Sequence, residues 1–166
     1  IQTDMMNENE IRNMVKQTVD HFGRVDILVN NAGRGYDTLV ENIEASSYLE
    51  LFKLDVLAPL IAMQEVIPIM RRQSEGMIIN VSSGTSLMDI PNIGAYSSLK
   101  RALNGLSLTA REELKKDSIV VGLVYPYMTQ TNFGKNIIGK QRDETSQEDE
   151  TLPKADQPEF IAEKIL

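Results

Sequence analysis

Three short apolar runs constrain this chain more than any other feature: "VDILVNN" from Val25, "GMIINVSS" from Gly76 and "SIVVGLVYP" from Ser118. Each has the length of a β-strand, and Pro126 closes the third. The first lacks alternation of apolar and polar residues, so it reads as a strand buried on both faces, as strands of parallel sheets are. The stretches between the runs have helical spacing. Asn7 or Asn9 is placed to cap a helix in which Ile11, Met14, Val15, Thr18, Val19 and Phe22 recur on one face, and Gly23 suits its left-handed end. A long helix is predicted over about 46–72, with Pro59 inside it to kink it and Pro68 near its end. Another is predicted over about 95–116, and "PEFIAEKIL" starts a last one with Pro158 in its first turn. Strands alternating with helices of this length are βαβ units, which give a parallel sheet with right-handed crossovers. The expected class is α/β.

The 166 residues suit one domain, 1–166, within which 132–157 reads as a substrate flap or disordered loop. A formal charge of −7 argues against nucleic acid or an anionic membrane as partner. There is no cysteine, hence no disulfide or thiol chemistry, and the single His21 cannot build a multi-histidine metal site. No apolar run is long enough to span a bilayer, and the start has no signal-peptide pattern. A soluble cytoplasmic protein is the expectation.

In an open parallel sheet, ligands sit outside the carboxyl ends of the strands. "NNAG" (30–33), "SS" (82–83) and "PYMTQT" (126–131) fall at those ends. Just after the second comes "AYSSLK", with Tyr96 and Lys100 four positions apart, on one helical face and one turn from each other. Ser83 lies thirteen residues before Tyr96, far enough for the loop to fold it back opposite the phenol.

Taken in that order and at those spacings, "NNAG", Ser83, "YSSLK" and the proline that closes the third strand resemble the short-chain dehydrogenase/reductase family. The resemblance covers nearly the whole chain and implies a Rossmann-type doubly wound parallel sheet. It also implies NAD or NADP as cofactor, and hydride transfer between that cofactor and a secondary alcohol or ketone as reaction. Tyr96 would be the general acid/base, Ser83 would hydrogen-bond the substrate oxygen, and Lys100 would tune the tyrosine and hold the nicotinamide ribose. A free phenol has a pKa near 10, and bringing it to neutrality requires roughly 4 kcal/mol of preferential stabilisation of the phenolate. A neighbouring ammonium and an oxidised nicotinamide are the expected sources. By the same resemblance Asp4 would contact the adenine, Asn31, Ala32 and Gly33 would pass under the cofactor, and Thr129 and Thr131 would meet its carboxamide and pyrophosphate ends.

Each feature has a plainer reading. Tyr96 and Lys100 on their own are an exposed helix pair; Ser82 and Ser83 are turn residues; Asn30 and Asn31 satisfy loop backbone groups. Leu60, Met63 and Met70 read as core or interface, and His21 as a favourable charge at a helix C-terminus. The acidic run near Glu148 reads as a solvated loop. It is the ordered set that turns the balance.

Two residues depart from the family pattern. Asp55, in "KLDVLAP", stands where the family has an asparagine that holds a proton-relay water; an anion there would slow catalysis. Tyr127 stands where a glycine follows the proline, adding bulk beside the nicotinamide. The glycine-rich turn that cradles a pyrophosphate has no counterpart in these residues, nor have the family's first strands and last strand. The expectation is therefore a central and catalytic part of a longer chain, with "VDILVN" left at an open sheet edge. A homodimer or homotetramer is expected, because Leu51, Leu54, Leu60, Leu103 and Leu106 outnumber what one sheet face needs. The rival reading is a non-catalytic binding or scaffold protein that keeps the fold without a usable cofactor site. A flavodoxin-like signalling domain explains the alternation but not the four ordered motifs.

Overall fold

A computed structural model describes residues 1–139 and 155–165. In chain order it contains α1 (Glu8–Phe22), β1 (Ile27–Asn30), α2 (Ala45–Phe52), α3 (Ala58–Gln73), β2 (Gly76–Val81), α4 (Gly94–Leu114), β3 (Ile119–Val124) and α5 (Pro158–Ile165). Asn7 caps α1: its side chain accepts from the backbone N–H groups of Asn9 and Glu10. Gly23 ends the helix at φ 76°, where a glycine carries no Cβ penalty, and its N–H closes on the Val19 carbonyl.

The strands form a parallel sheet in the order β1-β2-β3, with Ile27 beside Met77 and Met77 beside Val120. α1, α3 and α4 lie on the face that carries Ile78, Ile119 and Val121. There Val15, Met63, Val66, Met70 and Leu114 pack with those strand residues into one core. The opposite face is less covered among the described residues, although Ile79 in its middle, between Val29 and Gly122, is buried. Ile27, Val29, Met77 and Val120 are 52%, 42%, 36% and 55% exposed on it. The expectation that the first strand is buried on both faces is thus not met among the described residues, because every helix that packs on the sheet does so from one side. Parity decides the rest: successive side chains of a strand point to opposite faces.

The long helix over 46–72 is present, helical from Ala45 to Gln73, but it is not α-helical throughout. It is made of α2, a π-helical turn at Lys53–Leu57, and α3, whose first turn holds Pro59. Ala58 donates its N–H to the Lys53 carbonyl, five residues back. A proline needs no donor partner in a first turn, so the wider turn absorbs it where a regular helix would have kinked. The π turn also aims Asp55 and Val56 into the interior, where both are buried.

Two of the five leucines expected to seek a partner subunit, Leu51 and Leu103, are buried within the chain itself. Leu54, Leu60 and Leu106 are half-buried, while Leu49 and Leu108 on α2 and α4 are exposed. Behind the strand ends runs a buried polar ladder. Asn30 Nδ2 donates to Asn80 Oδ1 at 2.7 Å, Asn80 Nδ2 to Ser107 Oγ at 2.8 Å, and Ser107 Oγ to the Leu103 carbonyl at 2.7 Å. Asn30 therefore serves the core and not the loop. Of the expected flap, 132–139 is ordered into a 3₁₀ turn at Asn132–Asn136 and a bridge between Ile138 and Tyr36. Its end, 155–157, is also described, with Asp156 bridged to Thr129, while 140–154, with the acidic run near Glu148, lies outside the described residues. No helix among the described residues is long and apolar enough to cross a membrane.

Candidate active site

The carboxyl ends of the three strands open on one cleft, lined by Asn31, Gly33, Ser83, Tyr96, Lys100, Thr129 and Thr131 among others. Tyr96 sits in the first turn of α4, half-buried, with its ring tilted against Phe133 at 5.7 Å between centroids. Lys100, one turn further on, is buried, and its Nζ lies 5.6 Å from the Tyr96 ring centroid. Ser83 leaves β2 and caps the short turn Gly84–Leu87: its Oγ accepts from the Thr85 N–H at 3.2 Å and the Thr85 hydroxyl at 2.9 Å. Met63 and Met70 are core residues, and His21 stacks edge-on against Phe22 at the end of α1.

Asp55 lies at the centre of the site's electrostatics. Its Oδ1 is 2.9 Å from Lys100 Nζ, and Oδ2 accepts the Arg34 backbone N–H at 3.3 Å. The ammonium also donates to the Val81 carbonyl at 3.2 Å. Burial pushes the Asp55 carboxyl above the usual range, while Lys100 and the Arg34 N–H pull it back. The Tyr96 phenol is pushed up too, first by burial and then by the Asp55 carboxylate, with a hydrogen bond from Ser83 opposing. The expected lowering of the tyrosine by Lys100 is therefore absent in the protein alone. The physical reason is the ion pair: a positive charge with a carboxylate against it presents little net charge to a phenol beyond it.

Other expected residues separate into two groups. Gly33 is tightly enclosed, since a Cβ there would stand 2.8 Å from Asp55 Oδ1 and 3.3 Å from Lys100 Nζ. Thr129 Oγ1 is buried, faces the cleft and has no hydrogen-bond partner among the described residues. Thr131 Oγ1 accepts the Phe133 N–H at 3.2 Å and so caps a turn. Tyr127 is half-exposed on the cleft, its ring 3.2 Å from where a Cβ on Gly84 would be. Asp4 is not brought to the cleft. It is exposed and holds the turn before α1, accepting the Met6 N–H at 2.9 Å and receiving Glu10 Oε2 on its own N–H at 2.8 Å. Ala32 is exposed and does not line the cleft.

Sequence reasoning missed the residues that hold the Ser83 loop. Arg101 donates to the Ser86 carbonyl at 3.0 Å, the Met88 carbonyl at 2.8 Å and Asp89 at 2.7 Å, and Asn104 Nδ2 donates to Ser86 Oγ at 2.9 Å. Their signal was the helical period between them: Arg101 and Asn104 lie three residues apart on α4 and so share a face.

A parallel sheet with its ligand cleft at the carboxyl ends of the strands defines an α/β protein of the Rossmann type. The family model for short chain dehydrogenase matches residues 1–142, and the chain belongs to that family. It is 32% identical to an uncharacterized oxidoreductase of Schizosaccharomyces pombe over 99% of this chain and 74% of the relative. It is 30% identical to a 3-oxoacyl-[acyl-carrier-protein] reductase of Synechocystis over 82% of this chain and 56% of the relative. Among solved structures, ElxO with NADP bound superposes with a TM-score of 0.78 at 28% identity, covering 81% of this chain and 55% of that one. The chain thus spans about three quarters of the first relative and little more than half of the other two.

Proposed function

We propose that this chain carries the proton-transfer centre of an NAD- or NADP-dependent oxidoreductase that interconverts a secondary alcohol and a ketone. The observation that supports it best is the convergence of Ser83, Tyr96 and Lys100 on one cleft at the strand ends. The residues present suit the nicotinamide end of the cofactor: Thr129 Oγ1 is a buried oxygen without a partner among the described residues, and Gly33 lets backbone approach closely. Lys100 uses two of its three donors on Asp55 and the Val81 carbonyl, which leaves one for a ribose hydroxyl. NADP in the ElxO structure supports the same choice of cofactor.

In this reading Ser83 donates to the substrate oxygen and fixes its place, while Tyr96 gives that oxygen a proton during reduction or takes it during oxidation. The cofactor, when bound, supplies or accepts the hydride. Asn31 and Gly33 form the floor, Tyr127 narrows the mouth, and Asp55 acts through Lys100. The substrate is a small carbonyl or alcohol compound. Exposed Leu49 and Leu108 support a homo-oligomer, and the lack of cysteine agrees with a cytoplasmic setting.

The second reading, a scaffold with the fold but no working cofactor site, draws on the Asp55–Lys100 pair, which answers the ammonium's charge internally. Fluorescence titration of the full-length protein with NADH and NADPH separates the two. Saturable enhancement with either nucleotide supports the enzyme; none with both supports the scaffold.

A further inference from the structure

Asp55 is fully shut off from solvent, and the backbone is built around it. The π turn at Lys53–Leu57 aims it inward, the Arg34 N–H closes on one oxygen, and Gly33 leaves room for the other. That other oxygen is 2.9 Å from Lys100 Nζ, the group nearest the Tyr96 ring that carries positive charge. At such a separation the pair acts on its surroundings as a dipole, whose field falls off faster than that of a lone ammonium. The carboxylate is therefore placed to cancel, at the phenol, the effect that would make it ionise.

We propose that Asp55 is a positioning residue that sets the pH window of this site: seated on Lys100, it keeps Tyr96 a phenol, so that proton donation persists into alkaline solution and proton acceptance is postponed there. This rests on the reading of Tyr96 as the proton-transfer group. The ratio of the two directions stays fixed by the reaction's own equilibrium; what Asp55 moves is the pH at which each reaches its plateau. Ketone reduction then runs without an alkaline limb through pH of about 10, the ordinary value of a free phenol. Alcohol oxidation rises about tenfold per pH unit over the same range and does not level off. The groups that face Tyr96 are few. Lys100 comes from its own helix and Asp55 from the π turn. Arg34 turns its guanidinium to the Asn136 carbonyl, and Tyr36, Asp37, Glu44 and Tyr127 line the cleft from other loops. Among these groups Asp55 is the one whose charge pushes the phenol upward, the direction the proposal needs.

The test is a titration of the full-length protein labelled with ¹³Cζ-tyrosine and followed by NMR. Comparison with Tyr96→Phe identifies the one tyrosine signal that matters. In the unsubstituted protein the Tyr96 signal is expected to remain that of a phenol through pH of about 10. In Asp55→Asn the same signal is expected to move at least one pH unit lower, a tenfold gain in phenolate at a given pH. Ionisation of Tyr96 below about pH 9 in the unsubstituted protein overturns the proposal even if Asp55→Asn does not fold. Equal midpoints in the two proteins also overturn it. The titration needs no turnover, so failure to find any substrate sinks the enzyme reading and leaves this result to stand or fall alone.

Discussion

Lys100 and Asp55 form an ion pair of 2.9 Å in which neither side chain has more than 5% of its surface exposed. Two charges removed from water in this way depend on each other. Removing one leaves the other buried and uncompensated, at about 3–5 kcal/mol.

Lys100→Met is accordingly expected to destabilise the fold by an amount in that range, measured as a shift in urea midpoint. The loss should grow with pH. Asp55 already sits above the ordinary carboxyl range, so its contribution is full below the unfolded value of about 4 and lost as pH rises through the folded one. Without its ammonium it moves higher still, and that window widens upward. Urea curves at about pH 5 and about pH 8 should show the larger deficit at the higher pH. Equal deficits at both would mean that the carboxylate is not what the lysine serves.

Gly33→Ala places a methyl 2.8 Å from Asp55 Oδ1. Carboxylate and ammonium are both packed in, so the clash has no easy relief, and a loss of about 1–3 kcal/mol is expected in thermal unfolding. Gly105→Ala is the control: it lies in α4 with nothing within 4 Å, and should stabilise by about 0.5–1 kcal/mol through helix propensity.

The raised Tyr96 phenol has a stability consequence of its own. A group whose folded value exceeds the unfolded one supports the fold fully below the unfolded value, about 10 here, and loses that support as pH rises through the folded value. Unfolding free energy should therefore fall above about pH 10 in the unsubstituted protein and fall less steeply in Tyr96→Phe. Parallel curves for the two would contradict the burial of an ionisable phenol.

Ser107→Ala removes the acceptor 2.8 Å from Asn80 Nδ2 and leaves that donor with only the Met63 sulfur, 3.4 Å away. A loss of about 1–3 kcal/mol in urea unfolding is expected for a buried donor deprived of its partner. A change within error would mean that water takes the place of the hydroxyl.

That ladder marks where reading the sequence stops. The helix α1, the three strands and the convergence of Ser83, Tyr96 and Lys100 all follow from local signals: a cap, apolar runs, and a spacing of one turn. Asn80 and Ser107 carry no such signal. A polar residue inside an apolar run acquires meaning only when the register sets Asn80 beside Asn30. Asp55 was legible as a departure from the family that sets an anion near Lys100, as the ion pair bears out; the π turn that buries it there was not, because that turn depends on how the chain accommodates Pro59. Asp4 shows another limit: its place in a motif suggests a ligand contact, while its part in the turn that starts α1 shows only in the fold.

The most direct measurement is steady-state ketone reduction by Tyr96→Phe in the full-length protein, alongside its affinity for NADH and NADPH. Loss of the phenol should lower turnover by about 10²–10⁴, the usual worth of a positioned acid, with nucleotide affinity unchanged. Turnover within a few-fold of the unsubstituted protein would show that the proton comes from elsewhere.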